Sequence, residues 1–203
     1  MAPLGAETPL PRWPWVLLGL LLAGVMGAGV LWVPPAAPAE VRISLPEFTL
    51  TDQEGRTVGS RDLKGRVWVA GFIFTRCTGI CPLVTERMLS LQAREPGLDL
   101  VSFTVDPDHD TPEVLKAYAQ SHGAKPGRWR FLTGPREPLY RLIGQGFRLS
   151  VAAAPEGTSE PPTHSDRLAL VDRRLRIRGL YSSGDGEDMG RLHRDLEALL
   201  REP

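Results

Sequence analysis

The feature that most restricts the fold of this 203-residue chain is a continuous apolar run followed directly by a pair of cysteines. The run occupies residues 67–74, and its unbroken apolar character predicts a strand buried on both faces, as in the centre of a parallel sheet. Cys77 and Cys81, the only cysteines in the chain, come next, and Pro82 then begins an apolar-periodic helix that ends near Ala93. The sequence therefore places two thiols at a strand-to-helix junction.

The elements around this junction alternate between strand and helix before a late hairpin. Thr111 and Pro112 are typical of a helix start, and Gly123 is typical of a helix end. Strands joined by helices favour an α/β protein over segregated elements. The predicted fold is a thioredoxin-like α/β sandwich, with a central mixed sheet flanked by helices. The predicted strands are 48–51, 56–58, 67–74, 98–105, 129–132, 168–172 and 175–181. The first predicted helix begins at Thr78 or Pro82 and ends at Ala93, and the others are 112–122, 138–144 and 187–201.

One transmembrane helix is predicted to precede this domain. Residues 13–33 contain no charged side chain, and as a helix they would span roughly 30 Å, enough to cross a bilayer. Residues 37–39 resemble a cleavage site, but the run exceeds the roughly 7–15 residues of a signal-peptide core, which favours an uncleaved anchor. Arg12 precedes the run and favours a cytoplasmic N-terminus with an exported domain. The predicted organisation is a short tail at 1–12, a transmembrane anchor at 13–33, a Pro/Ala linker at 34–43 and the thioredoxin-like domain at 44–203.

Charge and cysteine content narrow the class of function. The chain has 24 Lys and Arg against 24 Asp and Glu, and this net charge of zero argues against nucleic acid as a partner. Two cysteines are too few for a disulfide scaffold. In an oxidising compartment the pair should be catalytic, metal-bound or a structural clip, and a clip that closes so short a loop gains little stability.

The spacing of the thiols permits both a disulfide and a metal site. On one helix, residues four apart have Cβ atoms about 5–6 Å apart, whereas an unstrained disulfide needs about 3.8 Å. A disulfide becomes easy if Cys77 lies in the loop before the helix. The helix N-terminus and Arg76 both favour thiolate character. Redox enzymes usually separate their cysteines by two residues, so the third intervening residue favours metal.

A site with two thiolates needs at least one further ligand, and two thiolates with one imidazole favour copper(I), with zinc next. His122 and His193 are read as structural or solvated, His109 as a surface residue in a loop, and Met88 as a core residue. His164 follows a Pro/Gly loop and directly precedes a strand, so it could fold over the thiols.

Two carboxylates lie in the loop that follows the strand at 98–105. Asp106 and Asp110 could act in acid/base chemistry or hydrogen-bond to groups that surround the metal ligands. Their sequence context, Asp-Pro-Asp-His-Asp-Thr-Pro, equally indicates a turn followed by a helix cap. The spacing alone leaves both readings open.

Three motifs in register resemble the Sco/SenC family of copper proteins. The segment from Cys77 to Pro82 resembles the C-x-x-x-C-P motif of that family, and residues 105–112 resemble its D-P-x-x-D-T-P segment. His164, followed by a Leu-rich strand, resembles the distal histidine of the family. The match covers roughly residues 44–200 in order and spacing, and the loop before His164 departs from it by lacking the usual aromatic and acidic residues.

This resemblance implies a thioredoxin-like domain on the periplasmic side of the cell inner membrane, anchored by a single span. It implies copper bound by Cys77, Cys81 and His164, with a supporting role for Asp106 and Asp110. The family is associated with delivering copper to the dinuclear site of cytochrome c oxidase subunit II, or with reducing the cysteines of that site. Another periplasmic copper chaperone or a thioredoxin-like reductase is a further expected partner.

Two hypotheses from different classes follow. The first is a metallochaperone that hands copper to the oxidase subunit by ligand exchange. The second is an enzyme, a thiol–disulfide reductase that uses the redox pair Cys77 and Cys81 to keep the copper cysteines of the subunit reduced. The metallochaperone is favoured. Substituting either cysteine would impair both activities, whereas His164→Ala separates them.

Overall fold

A mixed β-sheet forms the centre of the computed structural model of this chain, which describes residues 43–153 and 162–202 together with Leu17. The strands are β1 (Ile43–Ser44), β2 (Thr49–Asp52), β3 (Thr57–Gly59), β4 (Trp68–Ile73), β5 (Asp99–Thr104), β6 (Trp129–Thr133), β7 (Arg167–Val171) and β8 (Arg176–Ser182). The helices are α1 (Ser60–Leu63), α2 (Cys81–Arg94), α3 (Pro112–Ser121), α4 (Arg136–Arg141) and α5 (Gly186–Arg201), with a π-helical turn at Leu142–Gly146. The strands lie in the order β1-β8-β7-β4-β5-β6-β2-β3.

The centre of the sheet is parallel and its flanks are antiparallel. β4 pairs in parallel with β5, and β5 pairs in parallel with β6, through the crossover helices α2 and α3. On its other side β4 pairs antiparallel with β7. Every residue of β4 and β5 is buried, as a continuous apolar run predicts for a central strand. The prediction of a thioredoxin-like α/β fold with a mixed sheet is therefore confirmed.

This topology brings three chain segments to one edge of the sheet. The register pairs Ile73, at the carboxyl end of β4, with Thr104, at the carboxyl end of β5. Because β7 runs antiparallel to β4, its amino end at Arg167 also points toward this edge. The loops that leave β4 and β5 and the loop that enters β7 therefore lie close together.

The ends of α3 agree with the sequence signals. The hydroxyl of Thr111, the N-cap residue, accepts the N–H of Val114 at 3.4 Å, and Pro112 is the first helical residue. Gly123 has a φ of 69°, a left-handed conformation that glycine adopts without steric cost. α3 consequently begins directly after the loop that contains Asp106 and Asp110.

Two local differences from the predicted elements have simple causes. The helix predicted at 138–144 is α4, which begins earlier, followed by the π-helical turn, in which the Phe147 N–H reaches the carbonyl of Leu142 at 3.0 Å. Gly144 and Gly146 weaken the regular helical repeat there. The short elements β1 and α1 were not predicted, because neither is long enough to show a periodic pattern.

An aromatic cluster fixes β4 and β5 beneath the shared edge. The ring of Phe72 lies 5.8 Å from that of Phe103 and 5.0 Å from that of Phe147, and Phe103 and Phe147 are 5.3 Å apart. Trp68 contacts the same cluster, with its ring 6.3 Å from Phe147. Such pairs add to the stability gained by burial alone, so the loops beyond Ile73 and Thr104 start from a rigid platform.

The predicted tail at 1–12, anchor at 13–33 and linker at 34–43 lie outside the described residues, except for Leu17 and Ile43. Within the part of the chain that the structure describes, no helix has both the length and the apolar character required to cross a membrane. The membrane anchor therefore remains a prediction from the sequence.

Candidate metal centre

The two cysteines lie on either side of the start of α2. Cys77 closes a tight turn after β4, with its N–H donating to the carbonyl of Phe74 at 3.2 Å. Cys81 is the first residue of α2, and Pro82 follows it, where a missing N–H costs nothing. Cys77 is partly exposed, whereas Cys81 has 1% of its surface exposed. Cys77 is thus a loop residue, the arrangement in which a disulfide with Cys81 is geometrically easy, and both are free thiols in the structure.

His164 reaches the thiols from the loop that enters β7. Its Nε2 lies 3.3 Å from the Sγ of Cys81, and its Nδ1 lies 3.2 Å from the carbonyl oxygen of Ser165. A carbonyl only accepts hydrogen bonds, so Nδ1 carries the proton and Nε2 presents a lone pair to the site. The ring also packs edge-on against Phe74, at 5.4 Å between centroids. These contacts fix both the tautomer and the direction of the imidazole.

A short β-bridge holds the chain just before His164. The N–H of Ala152 donates to the carbonyl of Thr163 at 3.1 Å, and the N–H of Thr163 donates to the carbonyl of Ala152 at 2.9 Å. Residues 154–161 of the intervening loop, including two of the four residues just before His164 where the sequence departs from the family pattern, lie outside the described residues. The bridge anchors the end of the loop that carries His164.

Together the three side chains form a compact cluster of soft donors. The two Sγ atoms and an imidazole nitrogen of His164 all lie within 4.8 Å of one another. Ligands of a three-coordinate ion, at about 2.3 Å for sulfur and 2.0 Å for nitrogen, would be about 3.7–4.0 Å apart. Small movements of the side chains would therefore suffice for a metal ion. Among the described residues, this is the one group of three or more His, Cys, Asp or Glu side chains so arranged.

Burial controls the protonation of two of these candidate ligands. Burial, with a smaller contribution from the hydrogen bond to Cys77, raises the pKa of the Cys81 thiol far above its ordinary value. Burial also lowers the pKa of His164, because a desolvated imidazolium is unfavourable. The expectation of thiolate character at the helix N-terminus is therefore wrong for Cys81. In the metal-free protein Cys81 is a thiol, and His164 is neutral near pH 7.

Asp110 is the hydrogen-bonding centre of the neighbouring loop. Its side chain is 0% exposed, and it accepts the hydroxyl of Thr75 at 2.6 Å, the N–H of Thr75 at 3.1 Å and the hydroxyl of Thr104 at 2.5 Å. Its other close partner is Nδ1 of His109, at 3.0 Å. Because Thr75 lies two residues before Cys77, Asp110 ties the cysteine turn to the carboxyl end of β5.

Asp106 supports the same turn from outside. Its carboxylate pairs with the guanidinium of Arg76, the residue before Cys77, at 2.6 and 3.1 Å. The cap of α3 is Thr111, so neither aspartate fills the capping role that the sequence left open. Neither belongs to the three-residue metal-ligand cluster. The structure places both where they can position the cysteine turn.

Three of the other candidate ligands lie away from the thiols or in the core, and the fourth, His109, lies beside the cysteine turn. His122 donates from Nδ1 to the carbonyl of Tyr118 at 2.9 Å, as expected for a histidine at a helix end. His193 lies on α5, where its Nε2 is 3.2 Å from Arg94. Met88 is fully buried in the core. His109 is exposed in the loop after β5. None of the four joins the cluster of Cys77, Cys81 and His164.

Sequence reasoning missed the two threonines that bind Asp110. Thr75 comes shortly after the buried strand β4, and Thr104 is the last residue of the buried strand β5. These two strands are parallel neighbours. Polar residues at the carboxyl ends of adjacent parallel strands share one edge of the sheet. That signal was available in the sequence, but it required knowing which strands are neighbours.

Comparison with known proteins finds a matching family model and similar curated relatives. A family model described as SCO1/SenC matches residues 37–201, which include all three candidate ligands. The SCO1 protein homolog of Bacillus subtilis strain 168 is 43% identical over 129 residues, 61% of this chain and 66% of that protein. A Stutzerimonas stutzeri protein, named provisionally as copper-binding, is 35% identical over 142 residues, 67% of this chain and 68% of the relative. The chain thus spans about two thirds of the length of each relative.

Solved structures give the same grouping. The crystal structure of a SCO1/SenC family lipoprotein from Bacillus anthracis strain Ames matches with a TM-score of 0.75 at 32% identity, covering 82% of this chain and 100% of that chain. The structure of BsSco matches with a TM-score of 0.69 at 25% identity, covering 81% and 98%. BsSco is described as having a disulfide switch and as a member of the Sco family of cytochrome c oxidase assembly proteins.

Proposed function

This chain belongs to the SCO1/SenC family, and from that premise we propose that it is a copper metallochaperone that assists maturation of the dinuclear copper site of cytochrome c oxidase subunit II. The observation that carries the proposal is the cluster of Cys77, Cys81 and His164, whose ligand atoms lie within 4.8 Å of one another. Two thiolates and one imidazole suit copper(I), which is stable with three such ligands. The copper-binding name of the Stutzerimonas relative and the oxidase-assembly role of BsSco support the same reading.

The protonation of the site suits a protein that takes up and releases an ion. Cys81 holds its proton in the metal-free state because its pKa is raised by burial, so binding must release that proton. His164 needs no such step, since its Nε2 already presents a lone pair. Cys77 is the more exposed sulfur, so a ligand of the acceptor protein can displace it first. Transfer then proceeds by exchange of one ligand at a time.

A second candidate function is thiol–disulfide reduction, favoured by the two adjacent free thiols and the disulfide switch of BsSco. In that reaction Cys77 and Cys81 lose two electrons and two protons and form one disulfide. The disulfide of the oxidase subunit gains them and becomes two thiols ready for copper. A thioredoxin-like reductase would regenerate the pair.

The proposal includes a location. Residues 13–33 anchor the chain in the cell inner membrane as a single span, and the domain at 44–203 lies on the periplasmic side, where it can meet the oxidase subunit and another periplasmic copper chaperone. The uncharged 21-residue run supports this. Protease treatment of intact spheroplasts should degrade the domain, and protection from protease would contradict the location.

The decisive experiment is a copper(I) titration of the reduced full chain, wild type against His164→Ala, with a competing chelator. Wild type should bind one copper ion per chain, and the variant should bind at least about 100-fold more weakly because it loses a ligand. His193→Ala is the matched control, since His193 is a histidine outside the cluster, and its affinity should equal that of wild type.

The same variants separate the two functions. His164→Ala keeps both thiols, so its rate of exchange with a model disulfide should stay close to that of wild type. If this variant bound copper at wild-type affinity, the ligand assignment would be wrong. If it lost copper but still supported full oxidase assembly in cells, reduction rather than copper delivery would be the function.

A further inference from the structure

His109 lies beside the cysteine turn and is held there by a buried carboxylate. Its Nδ1 is 3.0 Å from Oδ1 of Asp110, whose side chain is 0% exposed. Asp110 also accepts two hydrogen bonds from Thr75 and one from Thr104, which mark it as an acceptor. Nδ1 of His109 therefore carries the proton, and the lone pair of a neutral ring lies on Nε2.

The ring is attached to the same turn that ends in Cys77. Nδ1 of His109 is 3.4 Å from Oγ1 of Thr75, and Thr75 is a central residue of the turn closed by the N–H of Cys77 and the carbonyl of Phe74. The side chain of His109 is 41% exposed. The two nitrogens of an imidazole point in diverging directions, so Nε2 faces away from the buried carboxylate.

We propose that His109 is an auxiliary copper ligand at the rim of the site, which takes the ion first and passes it to Cys77. An imidazole whose second nitrogen donates to a carboxylate is the usual arrangement of a metal-binding histidine, because the carboxylate fixes the ring and raises its basicity. His109 is not part of the three-residue cluster, so its role is transfer rather than retention. The inference rests on the proposed copper-carrying function.

The transfer step is a ligand exchange without electron transfer. The bond between copper(I) and Nε2 of His109 breaks as a bond forms between copper(I) and Sγ of Cys77. The thiol proton of Cys77 leaves to solvent, because the metal binds the thiolate. The oxidation state of copper is unchanged, so the step requires no oxidant or reductant.

A structural role for His109 is the rival explanation, in which the ring only donates a hydrogen bond to Asp110. His122 provides a matched comparison within the chain. Its Nδ1 also donates to a protein oxygen, the carbonyl of Tyr118 at 2.9 Å, so its Nε2 is equally unprotonated. It lies at the far end of α3, however, and its ring stacks on Tyr118 at 4.1 Å between centroids. The two histidines differ in their proximity to the cysteine turn.

The first test measures copper loading in the reduced full chain by stopped flow, with copper(I) supplied as a weak chelator complex. His109→Gln should load about tenfold more slowly than wild type, as expected when a metal-orienting group is lost, and His122→Gln should load at the wild-type rate. Both should reach one copper per chain, because the three cluster ligands are intact. Equal loading rates for the two variants would overturn the inference. This holds even if His109→Gln has a lower melting temperature than wild type.

A second measurement avoids dependence on the folding of His109→Gln. In a Cys77→Ser/Cys81→Ser chain, added copper(I) should shift the Nε2 ¹⁵N resonance of His109 and leave that of His122 in place. An unshifted His109 resonance would overturn the inference. If wild type took up no copper at all, the proposed function and this inference would both fail. If His109→Gln bound one copper ion per chain and loaded as fast as His122→Gln, only this inference would be refuted.

Discussion

Removing the carboxylate of Asp110 should destabilise the fold and loosen the cysteine turn together. The side chain is 0% exposed and accepts the hydroxyl and N–H of Thr75, the hydroxyl of Thr104 and the Nδ1–H of His109. In Asp110→Ala all of these donors lose their acceptor. The Thr75 N–H cannot turn to find another, because it is fixed by the turn that leads to Cys77.

The magnitude follows from these contacts. A hydrogen bond to a charged group contributes about 1.5–3 kcal/mol, and a buried donor left without a partner costs about 1–3 kcal/mol. Thr75 is partly exposed and His109 is exposed, so water replaces part of the hydrogen bonding that they lose. We expect Asp110→Ala to lower the free energy of unfolding by about 3–5 kcal/mol. Asp110→Asn should cost only about 1–2 kcal/mol, because its amide oxygen can still accept from Thr75 and Thr104.

Urea denaturation of the reduced, metal-free chain measures this free energy. Asp108→Ala is the matched control, since Asp108 lies in the same loop but is 60% exposed and pairs with Arg136 at the surface. Its loss should cost less than about 1 kcal/mol. If Asp110→Ala cost no more than Asp108→Ala, Asp110 would not be the anchor of the turn, and its supporting role at the site would be refuted.

Two further predictions concern protonation at the cluster. Burial lowers the pKa of His164 below its ordinary 6.5, so the unfolded chain binds a proton at this histidine more readily than the folded chain does. His164 therefore makes the fold less stable as the pH falls through about 6.5. When the pH is lowered from about 7.5 to about 5.5, the free energy of unfolding should therefore fall more for wild type than for His164→Gln. An equal fall in both proteins would contradict the burial argument. Cys81 is buried and its pKa is raised, so it should react slowly with iodoacetamide. Cys77 in the variant Cys81→Ser should be modified at least about tenfold faster than Cys81 in the variant Cys77→Ser. Equal rates, measured by mass spectrometry, would show that Cys81 is accessible.

Much of the fold could be predicted because its signals are local. The unbroken apolar run that ends at Phe74 gave the central strand, and the sequence around Thr111, Pro112 and Gly123 gave both ends of α3. The π-helical turn after Arg141 could not be predicted as such, since a helical pattern does not distinguish it from a continued α-helix. Local sequence determines where elements begin and end, and less often which helical form they take.

The site was less predictable because its properties depend on distant residues. His164 lies 83 residues from Cys81, so its position alone does not indicate a ligand, and only the family resemblance does. The helix N-terminus and Arg76 indicated a thiolate, but burial in the folded protein dominates the pKa of Cys81. Asp110 had the sequence context of a turn, and its actual partner Thr75 lies on another strand end.

The antiparallel pairing of β7 with β4 also sets the order in which the site can be built during synthesis. Both cysteines leave the ribosome long before His164, which can approach Cys81 only after β7 has paired with the already formed strand β4. A nascent chain therefore presents both sulfur atoms before the imidazole joins them, and the three-residue cluster is complete only once β7 and β8 are in place. A complete cluster of Cys77, Cys81 and His164 thus indicates that β7 has joined the sheet beside β4.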